Sequence, residues 1–248
     1  MASWLQSLFS KKYMAKEKLW VDLHSHFIPG IDDGSQSVEE SVALIKGLSE
    51  LGIQKIITTP HIMKGTYNNT PEIINAGLER VRTALQENGI SVQLEAAAEY
   101  YFDENFIQNL EEGKLLTFHN NYVLFELPVM MKPPQLEDVV FELNTRGYVP
   151  VLAHPERYQF MFTPDLKMYE TLKSMGVMLQ MNLLSLIGYY SVPVQKIART
   201  LVKQGMYDLV GSDIHNMKHL ELLPDVFSNE YFAMAMDSGD IINNKILK

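Results

Sequence analysis

Histidines and carboxylates recur in this chain at the ends of short apolar runs. The segments are Asp22-Leu23-His24-Ser25-His26, Thr59-Pro60-His61, Ala98-Glu99-Tyr100, Phe125-Glu126-Leu127-Pro128, Ala153-His154-Pro155-Glu156-Arg157 and Ser212-Asp213-Ile214-His215. In an extended strand residues two apart point to the same side, so His24 and His26 can reach one ion together. A His-x-His pair alone is weak evidence and reads more readily as a polar strand end. The recurrence of ligand types at successive run ends is what points to chemistry. Neutral imidazoles mixed with carboxylates, and no thiolate, suit manganese, iron, zinc or magnesium. A site of two or three such ions clamps a phosphate and lowers the pKa of a coordinated water. It thereby supplies a hydroxide nucleophile near neutral pH without a covalent intermediate.

These residues need elements that bring them to one place. Seven β-rich apolar runs alternate with helical patterns: Leu19–His26, Gln54–His61, Val92–Tyr101, Tyr122–Pro128, Val149–Glu156, Val177–Leu186 and Tyr207–His215. Helices are expected over Val38–Leu51, Pro71–Asn88, Gln135–Arg146, Leu166–Met175 and Pro193–Gln204, and glycines stand where they should stop, at Gly52, Gly89, Gly147, Gly176 and Gly205. This recurring helix, glycine, strand order is the pattern of repeated βα units, and it favours a closed or nearly closed α/β barrel over an open doubly wound sheet. Barrels of this kind build their sites at the carboxyl ends of the strands. A packed core cannot explain the same residues, because unpaired buried carboxylates are too costly.

Composition narrows the classes further. A chain of 248 residues with 46% hydrophobic content suffices for one large α/β domain. The absence of cysteine removes disulfides, zinc-thiolate sites and every cysteine-nucleophile mechanism. A net charge of −9 argues against nucleic-acid backbones as partners. No apolar stretch is long enough to span a bilayer and no secretory pattern opens the chain, so a cytoplasmic location is expected.

The motifs DLHSHFIPGIDDGS, TTPHI, AAEYY, FELP, AHPERY and GSDIH, in this order, resemble the PHP (polymerase and histidinol phosphatase) superfamily. More narrowly they resemble the CpsB/CapC-type tyrosine-protein phosphatases of bacterial capsule and exopolysaccharide systems. The likeness runs from about Trp20 to His215. It implies a distorted seven-stranded (β/α) barrel of the TIM-barrel-like PHP type, and a centre of three divalent ions with manganese foremost. It also implies hydrolysis of phosphotyrosine on proteins, with a bacterial tyrosine kinase of polysaccharide export as substrate, in the cytoplasm or at the inner face of the membrane. The implied ligands are His24, His26, Asp33, His61, Glu99, Glu126, His154, Asp213 and His215. We expect His24, His26 and Asp213 on one ion, His61 and His154 on a second, Glu99 as a bridge, and Asp33, Glu126 and His215 around the third. Asp33 and His215 are also expected to act in catalysis, and Asp32 could exchange roles with Asp33.

Arg157, three residues past His154, is expected to bind the substrate phosphate, since guanidinium gives fork-like bonds to phosphate oxygens. Its alternative is a surface salt bridge with Glu156. The capsule-type family tends to carry a second arginine shortly after SDxH, where this chain reads His215-Asn216-Met217-Lys218-His219. Lys218 is the expected substitute. His119 and His219 are read as turn and helix-start residues, Ile62–Thr70 as a connecting loop or a flap, and Tyr189-Tyr190 as rim packing. Residues 1–18 form an extension in which Trp4, Leu5, Leu8 and Phe9, followed by Lys11 and Lys12, suit an amphipathic helix that contacts a membrane or a partner. Residues 19–248 are expected to form the phosphatase domain, with helical cover after Leu220. A small-molecule phosphatase acting on histidinol phosphate or a sugar phosphate, and a catalytically silent metal-binding scaffold, are the competing functions.

Overall fold

The computed structural model describes residues 13–247 apart from Asn120 and Pro164, so the amphipathic pattern of residues 1–12 lies outside the described part. Among the described residues the named strands pair in parallel and fall in two sheets. β1 (Val21–Asp22), β2 (Lys55–Thr58) and β4 (Gln93–Ala96) form one, in the order β1-β2-β4. The other joins β3 (His61–Ile62), β5 (Glu99–Tyr101), β6 (Tyr122–Glu126), β7 (Val149–Ala153), β8 (Met178–Asn182) and β9 (Leu209–Gly211), in the order β3-β5-β6-β7-β8-β9.

The second and third apolar runs are thus each broken into two strands. Pro60 has no N–H to give to a ladder, and the neighbouring run bends beside it at Ala97-Ala98. Backbone bonds continue across the bend, from Ala97 N–H to the Thr58 carbonyl (2.9 Å) and from Glu99 N–H to the Pro60 carbonyl (3.1 Å). At the opposite margin the Ser25 and Ile214 segments meet in a parallel bridge, and Asp213 N–H reaches the His24 carbonyl at 2.7 Å. The buried Asn243 side chain spans the same margin, donating to the carbonyls of Val21 and Val210 and accepting from Val210 N–H.

Helices follow the strands: α1 (Val38–Glu50), α2 (Pro71–Glu87), α3 (Glu104–Glu112), α4 (Leu136–Thr145), α5 (Lys167–Ser174), α6 (Val192–Lys203), α7 (Met217–Phe227) and α8 (Glu230–Asp237). Their starts obey capping chemistry. Ser37, Thr70, Asp103, Ser191 and Asn216 each accept an N–H of the first turn, with proline in the first turn of α2 and α6. Strand side chains then sort with a period of two. Val123, Phe125 and Leu152 join the large core under the helices, whereas Leu124, Val151 and Ala153 join a smaller cluster with Val21, Leu23, Ile57, Ala97 and Leu209. Glu99 and Glu126 stand two residues beyond Ala97 and Leu124, so the parity that turns those side chains toward the smaller cluster carries the carboxylates above it. Residues 13–18 form no helix; Lys16 and Glu17 N–H bond the Asp237 carboxylate, tying the segment to the end of α8.

Candidate metal centre

The carboxyl ends of the strands bring the candidate ligands together in and beneath one cleft of about 570 Å³. His24 and His26 are fully buried, and their Nε2 atoms face each other at 3.3 Å. Both rings have their other nitrogen engaged. His24 Nδ1 donates to Gln180 Oε1 (3.0 Å) and His26 Nδ1 donates to Asp32 Oδ2 (2.8 Å). That arrangement turns two ring nitrogens with no further duty toward Asp213 Oδ1, 3.3 Å from each, and toward Glu99 Oε2 at 3.0 and 3.5 Å. Asp32 is therefore an orienting partner of His26, and Asp33, half exposed, is the aspartate that faces the cleft.

Glu99, with no exposed surface, sits at the middle. Besides His24 and His26 it meets His61 Nδ1 (3.2 Å) and, through its other oxygen, His154 Nε2 (2.9 Å). Glu126 lies 3.3 Å from His61 Nδ1 and 3.8 Å from His154 Nε2. Asp33 Oδ1 is 3.5 Å from both His61 Nε2 and His215 Nε2. All nine expected ligands thus converge, but their grouping differs from the expected partition. The donor atoms that lie within 4.8 Å of one another fall into three sets: His24, His26, Glu99 and Asp213; His61, Glu99 and Glu126; and His26, Asp33, His61 and His215. Glu126 thus groups with His61 and Glu99, and not with the Asp33 and His215 pair with which it was expected. The distances along strands β3, β5 and β6 decide this, and spacing in the chain does not carry them.

The electrostatics favour added positive charge. Burial, the largest influence on Glu99 and Asp213, pushes their carboxyls up. The neighbouring imidazoles, and Arg157 beside Asp213, outweigh it and hold both well below the usual carboxylate range. Burial pushes His24 down, yet the Glu99 and Asp213 carboxylates raise it to about 9, and Asp32 helps hold His26 well above its ordinary value. Asp33 falls to about 2, chiefly through its bond to His215. A buried cluster this rich in carboxylate suits the positive charge that divalent ions bring. The donor chemistry fits such ions: nitrogen and oxygen only, imidazoles with their outer N–H held, and a buried His61 Nδ1 without a hydrogen-bond partner.

The backbone is bent to serve the cluster. His154 (φ 34°) and Asp213 (φ 51°) adopt the left-handed conformation at the ends of β7 and β9, which is uncommon outside glycine though more accessible to Asp and His than to most residues. Two glycines let the chain come close. A Cβ on Gly34 would stand 2.2 Å from the His26 carbonyl, and one on Gly211 would stand 2.5 Å from the His24 Cβ and 2.2 Å from Gln180 Nε2. Tyr158, fully buried, donates to the Ala153 carbonyl and accepts from Leu127 N–H, so it struts the ends of β6 and β7 beneath His154.

Arg157 does not pair with its neighbour Glu156. That carboxylate is buried, accepting from Ser185 Oγ, Asn182 N–H and Tyr207 Oη. Arg157 instead reaches Asp213 Oδ2 (3.3 Å) and stacks over the Tyr190 ring at 4.6 Å. The same Oδ2 accepts from Asn182 Nδ2 (2.6 Å) and Tyr190 Oη (3.2 Å), leaving Oδ1 to face the histidines. Lys218 is exposed on α7, with its ammonium 5.5 Å from the centre of the Tyr189 ring and outside the lining of the cleft. His219 is buried within α7, where it accepts His215 N–H and meets Tyr189 Oη at 2.9 Å. The Ile62–Thr70 loop lines the cleft through Met63, Thr66 and Tyr67, and the Tyr67 ring stacks nearly parallel on His61. Sequence reasoning passed over Gln180, Asn182 and Tyr158 and read Tyr190 only as rim packing; their places in β8 and beside Arg157 are the signals that could have drawn notice.

A parallel-stranded α/β protein with buried imidazoles and carboxylates gathered at the strand carboxyl ends has the architecture of a metal-centred hydrolase. The particular family follows from comparison. The chain belongs to the CpsB/CapC capsular polysaccharide synthesis family, whose model matches residues 20–226. It is 28% identical over 231 residues to the tyrosine-protein phosphatase YwqE of Bacillus subtilis, covering 90% of this chain and 91% of that protein. It is 26% identical to the tyrosine-protein phosphatase CpsB of Streptococcus pneumoniae over 223 residues, covering 86% and 91%. A chain from the crystal structures of YwqE and CpsB, described as unique metal-dependent tyrosine phosphatases, superposes with a TM-score of 0.77 at 26% identity, covering 91% of this chain and 94% of that one. An amidohydrolase from Mycoplasma synoviae, at 14% identity and a TM-score of 0.51 over 92% of this chain and 86% of its own, shares the fold alone.

Proposed function

We propose that this protein is a metal-dependent protein-tyrosine phosphatase acting in capsule or exopolysaccharide production. The observation that carries the reading is one cleft in which the buried histidine and carboxylate cluster, the Arg157 guanidinium and the aromatic walls of Tyr67, Tyr189 and Tyr190 meet. It is supported by relatives named tyrosine-protein phosphatases over nearly their whole length. On this reading the two sheets and the Ser25–Ile214 bridge make one distorted seven-stranded barrel over residues 19–248. His24, His26, Asp33, His61, Glu99, Glu126, His154, Asp213 and His215 hold up to three divalent ions, manganese foremost. When bound, such ions polarise the phosphoryl oxygens and acidify a coordinated water.

The protein's own groups supply the rest. Arg157, held in place by Asp213 and Tyr190, offers its remaining N–H groups to the phosphoryl oxygens, and its fixed plane orients the phosphorus. Lys218, exposed on α7 outside the lining of the cleft, contributes only longer-range positive charge at its approach. The aromatic walls hold the phenyl ring and exclude water around it. A phenol of pKa about 10 is a competent leaving group, so little protonation of its oxygen is needed. The half-exposed Asp33, at the mouth, is placed to pass a proton to solvent through its second carboxylate oxygen, and His215 positions the first, with Nε2 3.5 Å from Oδ1. The partner is a phosphotyrosine protein, by family context a tyrosine kinase of polysaccharide export, met in the cytoplasm or at the inner membrane face. No helix of the described residues is long and apolar enough to cross a membrane.

The test compares metal-stripped protein with protein reloaded with manganese, on a phosphotyrosine peptide and on histidinol phosphate. We expect turnover only after reloading, with kcat/KM favouring the peptide, and no effect of thiol-alkylating reagents. Turnover by verified metal-free protein, or preference for histidinol phosphate, overturns the reading.

A further inference from the structure

Val129, Met130 and Met131 are 40%, 69% and 72% exposed, the longest consecutive run of exposed large apolar side chains among the described residues. Scattered apolar residues on a surface need no explanation, but a contiguous ridge signals an interaction site. This ridge is not a loose tip. Leu127 N–H bonds the Tyr158 hydroxyl at 3.0 Å and Gln159 N–H bonds the Val129 carbonyl at 2.9 Å. Pro128 precedes it, Pro133 and Pro134 follow it, and Lys132 is paired with Glu137. Both backbone ties lead to the segment that carries Arg157, and the loop itself starts at Glu126. The ridge is therefore fastened to two residues that line the cleft.

We propose that the Val129-Met130-Met131 ridge is the surface on which the polypeptide flanking the phosphotyrosine docks. This inference rests on the phosphatase reading above. Met130 lies four positions beyond Glu126, so their Cα atoms are at most about 14 Å apart. An extended peptide covers that distance in about four residues, so the docked side chains lie within about four positions of the phosphotyrosine. The ridge presents methionines, and the adjoining Lys132 ammonium is paired with Glu137, so apolar flanking residues are accepted in preference to acidic ones. Unbranched, polarisable methionine side chains adapt to several partner shapes, so apolar flanking residues of differing shape are accepted.

The test uses the metal-loaded full chain and the double variant Met130→Asp/Met131→Asp, with Met130→Gln/Met131→Gln as an uncharged counterpart. Substrates are p-nitrophenyl phosphate and two phosphotyrosine peptides carrying leucine or aspartate within four positions of the phosphotyrosine. The native protein should prefer the leucine peptide. Both variants should lose about tenfold in kcat/KM on it, mainly through KM, while p-nitrophenyl phosphate turnover stays within about twofold of native. Unchanged peptide kinetics in both variants overturn this inference and leave the phosphatase reading standing. Equal losses on peptide and p-nitrophenyl phosphate overturn it too, as does a shift from dimer to monomer in sedimentation, which would make the ridge a contact between copies. Failure of the native protein to hydrolyse any phosphotyrosine peptide overturns the phosphatase reading and the docking surface with it.

Discussion

Replacing Gly211 by alanine tests how the site is held, because the consequence follows from distances at one atom. The new Cβ would lie 2.5 Å from the His24 Cβ and 2.2 Å from Gln180 Nε2, closer than such atoms ever approach. Ordinary contact begins near 3.5 to 4.0 Å, so His24 must retreat by about 1 Å. Gln180 must move as well, and it is the acceptor that fixes the His24 ring through Nδ1. Neither shift is cheap inside a fully buried cluster, and overpacking of this kind costs about 1 to 3 kcal/mol. In a domain of this size that lowers Tm by about 2 to 12 °C. Activity should fall further than stability, because a 1 Å misplacement of a site group costs about a hundredfold. The assay is kcat on a phosphotyrosine peptide for metal-loaded protein, with metal content by elemental analysis and Tm by calorimetry. Gly89→Ala is the control: its φ is +67° and nothing lies within 4 Å, so alanine there strains the backbone by about 1 kcal/mol and leaves activity at the native level. If Gly211→Ala kept native kcat and metal content, the close packing of β9 beneath His24 would not govern the site.

His154→Ala should reduce metal content and turnover by at least about a hundredfold while circular dichroism stays native, since the core does not depend on this ring; a fully metallated, active variant would count against the assignment. Arg157→Ala should keep its metal yet lose about one to three orders of magnitude in kcat/KM, and Arg157→Lys should recover only part, because a point charge cannot reproduce the fork. Near-native kcat/KM in the alanine variant would return Arg157 to a purely structural pairing with Asp213, leaving Lys218 as the next candidate. Tyr158→Phe strands the buried Leu127 N–H and Ala153 carbonyl, so stability should fall by about 2 to 4 kcal/mol in urea denaturation. A loss below about 0.5 kcal/mol would mean that other groups satisfy both.

What the chain alone determined is local or periodic. Helices α1, α2, α4, α5 and α6 lie within a residue or two of the expected segments, because capping side chains and apolar periodicity act through near neighbours in the chain. Gly52, Gly89, Gly147, Gly176 and Gly205 all take the positive φ that ends a helix. The family was legible as well, since six short motifs in fixed order survive in the sequence whatever their spatial arrangement. The tertiary structure decided what depends on distance between segments far apart in the chain. It broke two runs at Pro60 and Ala97-Ala98, moved Glu126 to the side of His61, turned Arg157 from Glu156 to Asp213, and left Lys218 outside the cleft. It also recruited Gln180, Asn182 and Tyr190, ordinary polar residues whose importance comes only from the ring or carboxylate each meets. Hydrogen bonds and close contacts between strands are set by the register and bend of the sheets. A sequence records which residues can make such bonds, and the packed fold chooses the partners.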